Sequence, residues 1–325
     1  MAIVILRLDM RAPSFSSASA SELYAAALEM AEWADQNALT MITVSEHHGI
    51  EDGYLPSPVP LAACLAGRTR SIRIGIMALL LPLYDPVKLA EDLAVLDLAS
   101  EGRVGVTAGL GYRRAEYELL GSDWEGRGRA LDEGLEVLLR AWRGESFEYR
   151  GRPVKITPLP GTKPHPFLAV GGAGRNAARR AARFGLPFQP SVDTLEVFEL
   201  YRSECERLGA TPVLLPPGSG EVTWVSEDPD RTWSEIGPYL LHNAMSYRSW
   251  QPEGQQSVVD SEAETVEDLR REGKYRVLTP DECVEAAGAL GPLEALMLYP
   301  LCGGTPPKLA WQSLELFANR VLPRL

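Results

Sequence analysis

Short apolar, β-branched runs alternate with amphipathic stretches along most of the chain, and this alternation limits the possible fold more than any other feature. The strand-like runs are residues 2–8, 39–45, 71–81, 103–108, 166–171, 187–191, 221–226 and 294–299. Between them lie helix patterns. Residues 20–36 place Leu23, Ala27, Met30, Ala31 and Ala34 on one face, and residues 126–143 place Leu131, Leu135, Leu138, Leu139 and Trp142 on one stripe. Ser57-Pro58 and Asp85-Pro86 each offer an N-cap followed by proline at the first helical position. They open helices to about Ala66 and Ala99. Further helices are expected from Arg175, over 194–208 and over 307–321.

Strands alternating with helices build parallel sheets. Eight such repeats predict an α/β chain closed into a (β/α)8 barrel, with an open doubly wound sheet as the rival. The length of 325 residues suits one barrel with insertions, and no composition shift marks a domain boundary. One insertion is expected at about 145–165, where Phe147-Glu-Tyr149 and Val154-Lys-Ile156 flank a turn holding Gly151. The other is 228–276, the least regular long stretch, with Tyr239, His242, Met245, Tyr247 and Trp250 as apolar and aromatic material. It reads as a substrate lid or as a solvated surface insertion.

The charge of −12 argues against nucleic acid and anionic membranes as partners. No run of 18 apolar residues is present, so no membrane span is expected. The start of the chain reads as a strand rather than a signal peptide, and Cys64, Cys205, Cys283 and Cys302 lack metal spacing. A cytoplasmic setting follows. Metal catalysis is disfavoured, because His47, His48, His165 and His242 are the only histidines and none falls in a ligand pattern.

The polar run Ser45-Glu46-His47-His48-Gly49 closes the second strand, where a barrel places its chemistry. Adjacent residues of a strand face opposite ways, so His47 and His48 cannot share one role. The plain alternative is two histidines hydrogen-bonded in a loop. Gly171-Gly172-Ala173-Gly174-Arg175 lies between the fifth strand and its helix. Three glycines, a helix N-terminus and an arginine suit a phosphate, although the spacing is not the dinucleotide fingerprint. A tight turn with a surface arginine would look the same. Gly109-Leu110-Gly111-Tyr112-Arg113 follows the fourth strand in the same way, and Met77-Ala78 near the end of the third reads as core.

Together these runs resemble the bacterial luciferase-like flavin monooxygenases. The resemblance rests on Glu46-His47-His48, on Ile74 to Pro82 with Asp85-Pro86, and on Ala90 to Asp97 with Gly102-Arg103. It continues through Gly109-Leu-Gly111 with Glu116 and Gly121, Gly171 to Gly174, and Leu278-Thr-Pro280. It implies a barrel that binds reduced FMN, or the deazaflavin coenzyme F-420, at the carboxyl ends of its strands. It makes His47 the active-site histidine and puts a non-proline cis peptide at Met77-Ala78. Glu46, Met77, Ala78, Gly109, Gly111, Tyr112, Gly171, Gly172, Ala173, Gly174 and Arg175 become the cofactor-binding set. The light-emitting subunit has a cysteine and a phosphate-binding arginine where Gly109 and Leu110 stand here, so light emission is not implied and Arg175 supplies the phosphate charge instead.

The resulting expectation is a monooxygenase that oxidises a small organic substrate. With no pyridine-nucleotide domain in the sequence, reduced flavin would come from a partner reductase, and the resemblance implies a homodimer. Hydride transfer with F-420 and a non-catalytic flavin-binding relative are the alternatives.

Overall fold

Local sequence signals place most helix starts, and the computed structural model, which describes residues 2–191, 195–216, 221–250, 261–291 and 294–325, bears this out. Strand β1 (Ile3–Leu8) leads to α1 (Ala20–Gln36). Ser19 caps α1 and Glu22 returns the bond, a reciprocal capping box. Next come β2 (Met41–Val44), α2 (Pro58–Arg68), β3 (Arg73–Leu79), α3 (Pro86–Ala99) and β4 (Val104–Ala108). Asp85 caps α3 by accepting from the amides of Val87 and Lys88. Ser57 stands at the N-cap of α2 without a side-chain cap bond, so that expected device is half made. Then follow α4 (Arg114–Leu119), α5 (Arg127–Trp142), β5 (Phe147–Tyr149), β6 (Arg152–Val154), β7 (Leu168–Gly172), α6 (Arg175–Phe184) and β8 (Phe188–Pro190). The chain continues through α7 (Leu195–Leu208), β9 (Val222–Val225), α8 (Pro229–Trp250), α9 (Val266–Glu272) and β10 (Tyr275–Leu278). It finishes with α10 (Pro280–Gly288), β11 (Ala295–Leu298) and α11 (Pro307–Leu316).

The chain divides into two compact units, Met1–Pro56 with Ser219–Leu325, and Ser57–Gly218. In the first unit the strand order is β10-β9-β11-β1-β2, every described pair parallel. Leu6, Leu8, Ile42 and Val44 are buried on this sheet, with Leu23, Ala27 and Met30 buried on α1. Trp224 spends its indole N–H on Tyr299 O, 3.1 Å away. In the second unit the order is β3-β4-β7-β8, again parallel. Here the indole of Trp142 on α5 donates to Ala90 O on α3 at 3.0 Å. Arg103 ties off the end of α2 by donating to Ala66 O and to Thr69 Oγ1 at 2.9 and 2.8 Å.

Three local expectations are corrected. The hairpin pairs Phe147–Tyr149 with Arg152–Val154, not with 154–156, because Arg150 and Gly151 both take positive φ and make a two-residue turn. Residues 228–276 are regular where they are described, with α8 running 22 residues despite Pro238 inside it. Their aromatic residues give a helix face, with Trp233, Leu240, Ala244 and Tyr247 buried. Residues 251–260 of that stretch lie outside the described residues. The stretch also supplies the first half of β10, so the parallel strands number nine among the described residues rather than eight. No helix among the described residues is long and apolar enough to cross a membrane.

Candidate active site

In the second unit the carboxyl ends of β3, β4 and β7 lie side by side, because the three strands are parallel neighbours. The β3–β4 register slips there: Met77 pairs with Thr107 and Leu79 with Ala108, so Ala78 bulges out of the ladder. The Met77-Ala78 peptide is cis, as the resemblance implied. Gly109 follows directly on β4 and its amide donates to Leu79 O at 2.8 Å. A β-carbon at Gly109 would sit 2.8 Å from that of Ala78, closer than carbon atoms pack. One at Gly171 would meet Thr107 Cγ2 at 2.8 Å, and one at Gly172, where φ is +148°, would meet Ala177 Cβ at 2.8 Å. These three glycines are therefore required by packing alone. Gly111 needs its glycine for φ of +73°.

Gly174 is different. It is the N-cap of α6 with φ of −107°, and a β-carbon there would meet nothing within 4 Å. Neither backbone nor neighbours demand glycine. What it provides is an open approach to the first N–H groups of α6, which have no partner inside the helix. Ala173 beside it is half-buried, as is Tyr112 after β4. Arg175, the first residue of α6, is 53% exposed and pairs with Glu196. An ion pair so exposed contributes little and is readily exchanged for a bound anion.

Behind these ends is a polar contact that sequence reading missed. Thr107 Oγ1 donates to Gln189 Oε1 at 2.6 Å, and Gln189 Nε2 reaches Pro216 O at 3.4 Å and Met77 Sδ at 3.6 Å. Both side chains are buried, so β8 is tied to β4 beneath Met77.

In the first unit β2 ends at Val44, so His47 and His48 lie in a loop rather than on a strand, and they still take different partners. His48 Nε2 is 2.8 Å from Glu46 Oε1, with the Glu46 carboxylate fully buried. His47 is 6% exposed, and its backbone amide donates to Leu55 O. Its ring meets Tyr54 edge-on at 4.9 Å between centroids, Trp250 at 4.9 Å and Tyr247 at 6.1 Å. Tyr247 and Trp250 come from the last turns of α8. Under this aromatic group lie two buried arginines that drew no notice in the sequence. Arg11 is sandwiched against Tyr54 and Trp250 at 4.9 and 4.7 Å and donates to Asp52 Oδ2 at 2.8 Å. His242 Nε2 reaches the same oxygen at 2.7 Å. Burial alone would raise the Asp52 carboxyl, but its bond with His242 and the charge of Arg11 outweigh this and hold it below the usual range. Asp9 goes the other way: burial pushes its carboxyl up, against the pull of Arg11. Arg7 on β1 donates through Nη2 to Tyr247 Oη at 2.9 Å, and Tyr247 Oη is 2.8 Å from Tyr54 Oη. The readable signal was Arg7 and Asp9-Met-Arg11, charges at the carboxyl end of an otherwise apolar strand. Among the described residues, no group of three or more metal-ligating side chains is assembled.

The described geometry agrees with three comparisons. The luciferase-like monooxygenase family matches residues 8–297 of this chain. The oxygenase component of the flavin-dependent trigonelline monooxygenase of Acinetobacter baylyi is 28% identical over 199 residues, 57% of this chain and 55% of that protein. Monooxygenase RslO1 from Streptomyces bottropensis superposes with a TM-score of 0.79 at 26% identity, over 99% of both chains. The oxygenating constituent of 3,6-diketocamphane monooxygenase of Pseudomonas putida, solved in complex with FMN, gives 0.73 at 21% identity, over 100% of this chain and 99% of that one. At that identity it speaks for the fold alone. These matches establish the expected fold class, the luciferase-like α/β barrel. The chain spans about half the length of the curated relatives it matches, 46%, 55% and 55% for three of them. With the family match running over most of its length, the chain belongs to the luciferase-like monooxygenase family.

Proposed function

We propose that the chain is the oxygenase component of a two-component flavin monooxygenase, oxidising a small organic molecule with dioxygen and reduced FMN delivered by a separate reductase. The observation that carries this reading is Gly174, a glycine the fold does not need, at an open helix N-terminus next to the carboxyl ends of β3 and β4. Reduced FMN, when bound, supplies the electrons with which one oxygen atom enters the substrate and the other leaves as water.

The residues of the chain have separate tasks in this reading. Ala78 and Gly109 form a low-relief surface on which a flat ring can lie, with Met77 held behind it by Gln189. Gly111 and Tyr112 continue that surface. Gly171, Gly172, Ala173 and Gly174 bring backbone amides to the phosphate, and Arg175 leaves Glu196 to add its charge. Glu46, fixed through His48, joins the cofactor-binding set. His47, in a nearly dry aromatic setting, gives or takes a proton during turnover. The chain would act in the cytoplasm, a setting supported by four unpaired cysteines. Assembly as a homodimer belongs to the same reading and is checked by light scattering.

The test is the His47→Ala protein supplied with reduced FMN and oxygen. The reading predicts a folded protein that has lost most product formation. Undiminished turnover would remove His47 from the chemistry. Turnover with reduced F-420 and without oxygen would replace the monooxygenase reading by hydride transfer.

A further inference from the structure

In the second unit the strand register gathers four residues on one face. Met77 pairs with Thr107, Thr107 pairs with Ala169, and Gly171, two residues further along β7, pairs with Gln189. Every second residue of a strand shares a face, so Met77, Thr107, Gly171 and Gln189 point the same way. Met77 is half-buried on that face, while Ile76 on the opposite face is fully buried. Gly171 has no side chain to stand between Thr107 and Gln189, and a β-carbon there would meet Thr107 Cγ2 at 2.8 Å. The orientation of the Gln189 amide follows from its partners. Pro216 O, 3.4 Å from Nε2, can only accept, so the amide nitrogen stands on that side. Oε1 then faces Thr107, which donates to it at 2.6 Å. The two amide hydrogens are left for Pro216 O and for Met77 Sδ, 3.6 Å from Nε2. Replacing both partners of a buried hydrogen bond by apolar groups of like shape is nearly neutral for a fold. An apolar pair would therefore join β4 to β8 as well as Thr107 and Gln189 do, but it could not direct an N–H group at the sulfur of Met77.

We propose that Gln189 is a positioning residue of the flavin site: its amide holds the Met77 thioether in one place, so that Met77 and Ala78 present a fixed surface to the ring. The inference rests on the flavin reading for the ring, while the contacts it uses lie wholly in the second unit. Methionine is unbranched, with three rotatable side-chain bonds, and an unrestrained Met77 would have to be ordered when the ring binds. Held by Gln189, it is ordered beforehand, and that cost falls outside the binding step. A sulfur beside an aromatic ring also makes a favourable contact, which a fixed thioether makes every time. Gln189 acts through Met77 and not by touching the ring.

The test is titration of the whole chain with oxidised FMN and with riboflavin, read by the visible absorption of the bound flavin. It compares the unaltered protein with Met77→Leu, Gln189→Leu and the two changes together. Each single change should weaken FMN about fivefold, the scale of one buried hydrogen bond, and shift the bound spectrum in the same direction. Riboflavin should weaken by the same factor, because the ring and not the phosphate is affected. The two changes together should weaken FMN no further than one alone, since both break a single contact. Thr107→Val with Gln189→Leu removes both partners of the buried bond and should still show the weaker binding and the shifted spectrum. Met77→Leu keeps the side-chain volume, so the test stands even where Gln189→Leu fails to fold. FMN bound by the Thr107–Gln189 double variant as tightly as by the unaltered protein, and with the same spectrum, would overturn the proposal, since Gln189 would then serve the fold alone. So would losses that multiply when Met77 and Gln189 are changed together. In both cases the unaltered protein still binds FMN, and the flavin reading stands. An unaltered protein that binds neither flavin refutes that reading, and this inference with it.

Discussion

His242 Nε2 lies 2.7 Å from Asp52 Oδ2, on the same oxygen that takes the guanidinium of buried Arg11. Through this oxygen α8, which carries Tyr247 and Trp250, is fastened beside Tyr54. Asp52 is held below its ordinary value near 3.8, so its contribution to stability is complete above that pH and fades as pH falls through the lowered folded value. At neutral pH Asp52→Asn should cost on the order of 3 kcal/mol, because Arg11 loses a charged partner in a buried place. Urea unfolding from pH 7 downward should show the gap between the two proteins closing below about pH 4. A gap that stays constant with pH would contradict the assignment.

Gly109→Ala places a methyl group 2.8 Å from Ala78 Cβ, an atom fixed to the backbone that cannot swing away. Thermal unfolding should report a loss of about 1–3 kcal/mol. An unchanged melting temperature would mean that the ends of β3 and β4 can part freely.

Gly174→Ser separates fold from function at the turn before α6. Serine is a good N-cap, φ of −107° suits it, and its Cβ enters open space, so stability should hold or rise slightly. Its hydroxyl would compete for the amides we assign to phosphate. FMN affinity should fall while riboflavin, which has no phosphate, binds as before. Equal weakening of both ligands would place the effect on the ring instead.

Thr107→Val keeps shape and removes the hydroxyl that Gln189 Oε1 accepts from at 2.6 Å. The buried amide oxygen is then unpaired, at a cost of about 1–3 kcal/mol in chemical denaturation. The double change with Gln189→Leu should recover part of that loss, because both polar partners are then gone.

Much of the fold was legible because its signals are local. The Asp85-Pro86 device acts within one helical turn and formed as read; the Ser19–Glu22 box is just as local, but it was found only in the structure. Strand β10 was not legible, since Tyr275-Arg-Val-Leu278 alternates like any exposed segment and becomes a strand only beside β9. Helix α8 was hidden by Pro238 and by aromatic residues that suggest a loop until their partners are seen. In the site, Gly109 and Gly171 were visible as glycines, but the reason for them was not. It lies in Ala78 and Thr107, 31 and 64 residues earlier. Arg7, Asp52, Tyr54 and Gln189 were missed for the same reason. Each acquires its meaning from a partner distant in sequence, Tyr247 for Arg7 and Tyr54, His242 for Asp52, Thr107 for Gln189.

Titration of the purified chain with reduced FMN, reduced riboflavin and reduced F-420, read by flavin fluorescence without oxygen, bears most directly on the central claim. The account predicts one saturable site per chain for reduced FMN, weaker binding of riboflavin by the loss of the phosphate contacts, and no competition from F-420. Tighter binding of F-420, or equal binding of FMN and riboflavin, would contradict it.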